Sequence, residues 1–376
     1  MCVIPYYLLI TIPVLFLFLA FQRTTSSHST LCVGWYQAEH IRQHNVALPV
    51  FFIILYVMLA CRSDRMGTDL EQYHVVFDVY ARQSMKYFDL WRSESLFRFL
   101  NWLVSKVWNN FQFYLAVISA ITLIPMVILY CEDRRRSYLK IILFVGMSTF
   151  VMMFSGIRQM IAVSLGIVAY FFVRKKKLIL FLLVAVTALG FHHSAFMILP
   201  MYPLYHIRLK KNHLWFVLPI MAAVFVFNRQ IFGALNVLLA QYDESYEAIQ
   251  MTSTGAYMSL ILFMAFAVFS YVVSDESKMD DEMFGLRNFL MLTVVLQCFA
   301  PLHTLAMRMN YYYIVFIPIT VAKLVDIPKP SMKRISRVAG VIILVYFLWD
   351  YISTIYTGYV TGVSALDTVP YIPFWA

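Results

Sequence analysis

Residues 138–173 read YLKIILFVGMSTFVMMFSGIRQMIAVSLGIVAYFFV. Two apolar runs meet at Gly156-Ile157-Arg158-Gln159. Arg134-Arg135-Arg136 precede the pair and Arg174-Lys175-Lys176-Lys177 follow it. Each run approaches the roughly 20 residues that a helix needs to cross hydrocarbon. Basic clusters in short loops mark the cytoplasmic side of a membrane protein. The chain therefore crosses, turns at Arg158 and returns. Arg158 is left as an isolated cation among apolar neighbours, where a charge is costly.

The same alternation extends in both directions. Apolar runs occupy 3–21, 47–61, 111–130, 138–155, 157–173, 178–191, 195–207, 214–228, 256–274, 286–304, 309–325 and 337–356. Of the 376 residues, 61% are apolar or aromatic and 13% are charged. A soluble domain carries about 25% charged residues, so an ordinary soluble enzyme is excluded, as are disorder and a nucleic-acid module. Ten to twelve crossings of roughly 20 residues consume nearly the whole apolar inventory. The expected fold is an all-α polytopic membrane protein with ten to twelve transmembrane helices, one integral-membrane domain over 1–376. Pro200 and Pro203 leave open whether 178–207 crosses once, twice or as a re-entrant pair. The first 21 residues lack a basic start and a small-residue cleavage site, and so read as a retained helix. Five scattered cysteines without a CxxC argue against a disulfide framework or a zinc knuckle.

The net charge of +10 fits topology signals. Four basic clusters, at Arg134–Arg136, Arg174–Lys177, Arg208–Lys211 and Lys329–Arg337, fall on one side if all twelve runs cross. Asp280-Asp281-Glu282 falls on that side too. The opposite side receives the segment 62–110, the turn at Arg158, the His192-His193 turn, the loop 229–255 and the turn at 303–308. Segment 62–110 balances seven Lys/Arg against six Asp/Glu. Tyr73, Val76, Phe77 and Tyr80 have helical spacing, as do Phe97, Leu100, Val104 and Trp108. Both stretches read as amphipathic helices at the membrane surface.

Several residues on that opposite side suit chemistry. CRSDRMGTDLEQY (61–73) packs Arg62, Arg65, Asp64 and Asp69 around Gly67-Thr68. It is either a turn of compensating ion pairs or an anion and acid/base site, since Arg presents a fork to phosphate and Asp accepts a proton. Glu94 is either a helix cap or a second carboxylate. Arg158 either snorkels to the surface or binds an anion. His192, followed by His193 and Ser194, is a packing residue, a hydrogen-bond donor or a proton relay. Arg308 is a third isolated arginine. Beside it, Tyr311, Tyr312 and Tyr313 form an aromatic belt or a sugar-stacking surface. His40 and His44, in EHIRQH, read as a solvated face. No metal-binding motif is visible.

These patches together resemble the EpsG family of exopolysaccharide proteins, within the Wzy-type polysaccharide polymerases. The resemblance rests on Arg62 with Gly67-Thr68-Asp69 and Tyr73, on Glu94 with Leu96-Phe97 and Leu100-Asn101, and on Gly156-x-Arg158-Gln159 with Ala162. It continues in Phe191-His192-x-Ser194-Ala195 and in Arg308 with Tyr311-Tyr312. Arg65-Met66 and Ser95 depart from the usual pattern. The resemblance implies a GT-C-like enzyme of the bacterial cytoplasmic membrane with its active site facing the periplasm or exterior. It implies polymerisation of undecaprenyl-diphosphate-linked repeat units into exopolysaccharide, capsule or O-antigen, with membrane lipids, a chain-length regulator and a flippase as partners and no nucleic acid. Asp69, Glu94 and His192 are the expected catalytic residues. Arg62, Arg65, Arg158 and Arg308 are expected at the diphosphate, and Tyr73, Gln159, Tyr311 and Tyr312 at the sugar. No cofactor or metal is expected. A lipid-linked glycan flippase and a glycan-modifying membrane acyltransferase are the alternatives.

Overall fold

The computed structural model describes residues 2–26, 46–82, 94–240, 255–302 and 304–376. His40, His44, His303 and parts of the two segments expected on the opposite side (83–93 and 241–254) lie outside the described residues. Among those described the fold is helical, with isolated bridges and no strand. In chain order the helices are α1 (Ile4–Ser26), α2 (Ala47–Ala60), α3 (Leu70–Arg82), α4 (Ser95–Val107), α5 (Phe111–Cys131), α6 (Ser137–Val145), α7 (Ser148–Ser155), α8 (Ile157–Arg174) and α9 (Leu178–Leu189). They continue as α10 (Met201–His206), α11 (Leu214–Val226), α12 (Asn228–Ala240), α13 (Gly255–Val272), α14 (Asp281–Gln297), α15 (Thr304–Ile314), α16 (Ile317–Asp326) and α17 (Lys333–Thr361).

Three described helices are long and apolar enough to cross a membrane: α5, α8 and the one ending in α17. The number rises to five if each bent pair is one span. These pairs are α6 with α7, bent by 55°, and the α10 and α11 segments, bent by 118°. Shorter apolar helices run at Ile4–Phe16, Ala47–Ala60, Leu178–Leu189 and Ala256–Val272. Length and composition therefore support several membrane helices, without reaching the expected ten to twelve. Runs read as continuous are broken: 138–155 at Gly146-Met147 and 309–325 at Val315-Phe316.

The chain divides into two compact units. The first holds 1–169, 183–193 and 341–376. Its core sets α2 against α1 and α5. Phe51, Phe52, Tyr130 and Phe144 meet edge to face at 5.5–5.8 Å, the arrangement that ring quadrupoles favour. A second cluster gathers Tyr73 and Phe77 of α3, Phe97 and Val104 of α4, Tyr114 of α5 and Ile157 and Ile161 of α8. The amphipathic spacing of α3 and α4 is thus spent on each other and on α5 and α8. Trp108 departs from its expected place on the α4 stripe. The helix stops at Val107, Trp108 turns extended, and its side chain is exposed.

The second unit holds 170–182 and 194–340. Its centre is α14, packed by α10, α13, α15 and α16. Gly285 lets Tyr205 close on α14, because a Cβ there would lie 2.2 Å from the tyrosine ring. The acidic cluster meets the basic ones. Asp280 caps α14 through the Met283 amide at 2.8 Å. Asp281 pairs with Arg208. Glu282 takes Lys323 at 2.6 Å and the Tyr170 hydroxyl at 2.9 Å, with Arg174 at 3.9 Å. Three loops assigned to one side by charge therefore come together within this unit.

Candidate active site

The first unit's site is organised by the break between α7 and α8. Ser155 ends α7, and its hydroxyl takes the Asp69 amide at 3.2 Å and shares a hydrogen bond with Thr68 at 2.8 Å. Gly67 makes that approach possible. Its φ of +104° is open to glycine, and a Cβ would lie 2.2 Å from the Phe154 carbonyl oxygen. The turn is also tied to the C-terminal segment, since the Gly67 amide donates to the Asp367 carbonyl at 3.2 Å and the Ser63 amide to Ile372 at 2.8 Å. Gly67→Ala is expected to cost at least about 2 kcal/mol, from backbone strain and overpacking together. Thermal unfolding of the purified protein is the check, and an unchanged midpoint would contradict this account.

Two residues past the Gly156 break, Arg158 enters a network. Its Nη1 donates to Glu94 Oε2 at 2.8 Å and its Nε to the Tyr73 hydroxyl at 3.3 Å. The Arg158 side chain is a third exposed, and Nη2 has no partner among the described residues. Glu94 Oε1 meets His192 Nδ1 at 3.1 Å and accepts from the His193 amide at 3.3 Å. Glu94 stands at the N-cap of α4 without capping it. The Leu96 amide instead donates to the Gly190 carbonyl at 2.9 Å, and the Phe97 amide to the same oxygen at 3.3 Å. Gly190 must lack a side chain, because a Cβ would lie 2.6 Å from Leu96. That borrowed cap frees the Glu94 carboxylate for arginine and histidine.

Burial works to raise the Glu94 carboxyl, but the His192 hydrogen bond and the Arg158 charge outweigh it and hold the group at about 2. Glu94 is therefore an anion throughout the working range. An ionised carboxylate only accepts, so His192 Nδ1 carries the hydrogen of that bond. A depressed carboxyl stabilises the fold above its ordinary value of 4.5, and that contribution disappears as pH falls toward 2. The difference in melting temperature between wild type and Glu94→Gln should be full above pH 5 and close on acidification. A difference constant down to pH 2 would refute the depressed carboxyl.

Asp69 is half-buried, and its side chain meets only the Thr68 hydroxyl, at 3.3 Å, among the described residues. It is not the ion-pair partner of Arg62 or Arg65. The ion pair in that turn joins Asp64 to His74 at 2.7 Å, and Arg65 is exposed. Arg62 is 2% exposed, and its Nε and Nη1 have no hydrogen-bond partner among the described residues. The guanidinium lies 5.6 Å from the Phe154 ring centroid. Burial pulls its pKa down to about 10, against the opposing influence of Tyr371 and Tyr6.

The EpsG family profile matches residues 45–372. This chain belongs to the EpsG family. No curated protein and no solved structure matches it. Family membership and the apolar helices mark a membrane protein of exopolysaccharide biosynthesis. In this EpsG protein the matched span includes every expected site residue.

The other expected residues are placed differently. Gln159, next to Arg158, is buried at 2% exposure. In the second unit Tyr311 and Tyr312 are buried as well, and Tyr312 shares a hydrogen bond with Ser194 at 3.1 Å. None of the three offers an open face to a sugar. Arg308 is half-buried on α15. Sequence reasoning missed Arg287, which is fully buried in α14, 2.8 Å from Glu276 and 4.1 Å from the Tyr271 ring centroid. Its place inside an apolar run was the available signal. Among the described residues no group of three His, Cys, Asp or Glu side chains is arranged for a metal ion.

Proposed function

We propose that this EpsG protein is a polymerase joining undecaprenyl-diphosphate-linked oligosaccharides into exopolysaccharide, capsule or O-antigen outside the cytoplasmic membrane. The observation that carries the reading is Arg158, held by Glu94 and Tyr73 with Nη2 uncommitted. A guanidinium fixed in this way is preorganised for a diphosphate leaving group. A hydroxyl of the incoming unit attacks the anomeric carbon of the growing chain. The new C–O bond forms as the bond to the diphosphate breaks, and the diphosphate leaves with the electron pair. Charge grows on it in an oxocarbenium-like transition state, where an aimed cation lowers the barrier. His192, hydrogen-bonded to Glu94, adds a contact to the diphosphate or the acceptor. The hydroxyl proton passes to Asp69, the less engaged carboxylate. Glu94 serves as a positioning residue, because a carboxyl near 2 is a weak base. Within the first unit Arg65 assists at the diphosphate and Tyr73 at the sugar. Each of these assisting roles is tested by its own conservative variant.

The deciding experiment mixes purified protein with lipid-linked repeat units. A polymer ladder with release of undecaprenyl diphosphate is expected. Transport of the intact lipid without new glycosidic bonds would instead favour the flippase reading. Orientation has a separate check. A cysteine placed at Thr68 should react with impermeant reagents in intact cells, and one beside Arg135 should not.

A further inference from the structure

The second unit has a cavity of about 420 Å³ lined by Lys176, Tyr202, Tyr205, His206, Arg208 and Asp281. It lies where the basic and acidic loops of that unit meet, and it shares no residue with the proposed polymerase site. Its volume falls in the range of small-molecule sites, about 300–1,000 Å³. Its walls combine two cations with three rings. The His206 ring centroid is 4.9 Å from that of Tyr202 and 5.3 Å from that of Tyr205.

The two cations are presented differently. Arg208 is locked: its Nε donates to Asp281 Oδ1 at 2.8 Å and its Nη2 to the same oxygen. That leaves Nη1 on a fixed fork. Lys176 has no ion-pair partner among the described residues, and its backbone conformation is unusual. The Lys176 amide donates to the Val173 carbonyl at 2.9 Å and the Lys177 amide to Phe172 at 3.0 Å. This pair of bonds is a Schellman ending for α8, in which the first residue past the helix adopts a left-handed conformation and is usually glycine. Lys176 fills it with a φ of 54°. Left-handed backbone at a residue with a Cβ costs roughly 1 kcal/mol or more. A lysine at the position best suited to glycine, and on the wall of a cavity, points to use of its ammonium group.

We infer that this cavity binds a phosphate ester, with the phosphate between Lys176 and Arg208 and the organic part against Tyr202 and His206. Lysine supplies a point charge and arginine a planar fork, a combination suited to phosphate oxygens. By the positive-inside pattern this end faces the cytoplasm. The ester is therefore either a soluble phosphorylated metabolite or a phospholipid headgroup of that leaflet. The site is independent of the polymerase reading.

Lys176→Gly tests this with little risk to folding, since glycine relieves the left-handed strain. Its melting temperature should equal or exceed that of wild type. The full-length protein is reconstituted in phosphatidylcholine nanodiscs and titrated with adenosine monophosphate as the soluble probe. At least tenfold weaker binding is expected for Lys176→Gly, and a similar loss for Arg208→Gln. Arg158→Lys should titrate as wild type does, which separates this cavity from any phosphate binding at the other site. A second arm uses phosphatidylglycerol nanodiscs. Suppression of probe binding there identifies a lipid headgroup as the occupant, and unchanged binding identifies a soluble ester. Affinities within twofold of wild type for both cavity variants would overturn the inference, as would no binding of the probe and no preference for phosphatidylglycerol by wild type over Lys176→Gly.

Discussion

Arg158→Lys is expected to lower polymer formation about 10²–10³-fold at saturating lipid-linked substrate, the usual cost of losing one preorganised donor. The variant should still insert and melt near the wild-type temperature. Lysine keeps a positive charge beside Glu94, so the buried carboxylate stays compensated. It cannot keep the rest. Arg158 uses Nη1 for Glu94 and Nε for Tyr73, and both anchors aim Nη2. An ammonium that reaches Glu94 loses the planar fork and the second anchor, and its charge is no longer aimed at a ligand. Arg158→Ala is the less informative variant. It leaves a buried, unpaired carboxylate, so lost activity would mix folding with chemistry. Turnover and donor affinity, measured on the same preparation, separate the cases. Near-normal turnover of Arg158→Lys would mean that the arginine only neutralises Glu94, and would remove it from the reaction.

The helical class was legible because it depends on composition and run length, both local properties. α5, α8 and α17 appear where their apolar runs predict. The stripes of α3 and α4 were also legible, since Tyr73, Phe77, Phe97 and Val104 are all buried at helical spacing. What spacing does not encode is pairing across the chain. Arg158 and Glu94 are 64 residues apart, and Glu94 and His192 are 98 apart. Their meeting depends on Gly190 lending its carbonyl to α4, a backbone contact without a side-chain signature. The burial of Arg62 was not legible in its turn, because the residues around it, Tyr6, Tyr114 and Tyr371, come from three distant segments. The tyrosines after Arg308 misled for a related reason. An aromatic run at a span end suits an interface belt, a sugar platform or a core equally well. Which of these it forms is decided by neighbours such as Ser194, 118 residues away from Tyr312.

Asp69→Asn is expected to reduce turnover by about 10²-fold or more, the ordinary size of a general-base contribution. Donor affinity should change little, because the diphosphate is assigned to arginine. The structure makes this substitution unusually clean. What fixes the Thr68-Asp69 turn is the backbone, through the Asp69 amide on Ser155 and the Gly67 amide on Asp367. The one side-chain contact is the Thr68 hydroxyl, which donates to Asp69 Oδ1, and an asparagine oxygen accepts it equally well. No arginine loses a partner. Folding should therefore survive, and a fall in melting temperature would mean that Asp69 carries an ion pair absent from this structure. If turnover stays normal, the base is elsewhere. Glu94 is then a poor substitute, since at about 2 it holds protons weakly and both of its oxygens are engaged. Glu94→Gln distinguishes the two carboxylates by pattern as well as by size. A lost base lowers turnover alone. A lost positioning residue releases Arg158 and His192 together, weakening donor binding along with turnover. Normal turnover in both Asp69→Asn and Glu94→Gln would leave the hydroxyl to attack without a carboxylate, with Arg158 alone carrying the departure of the diphosphate.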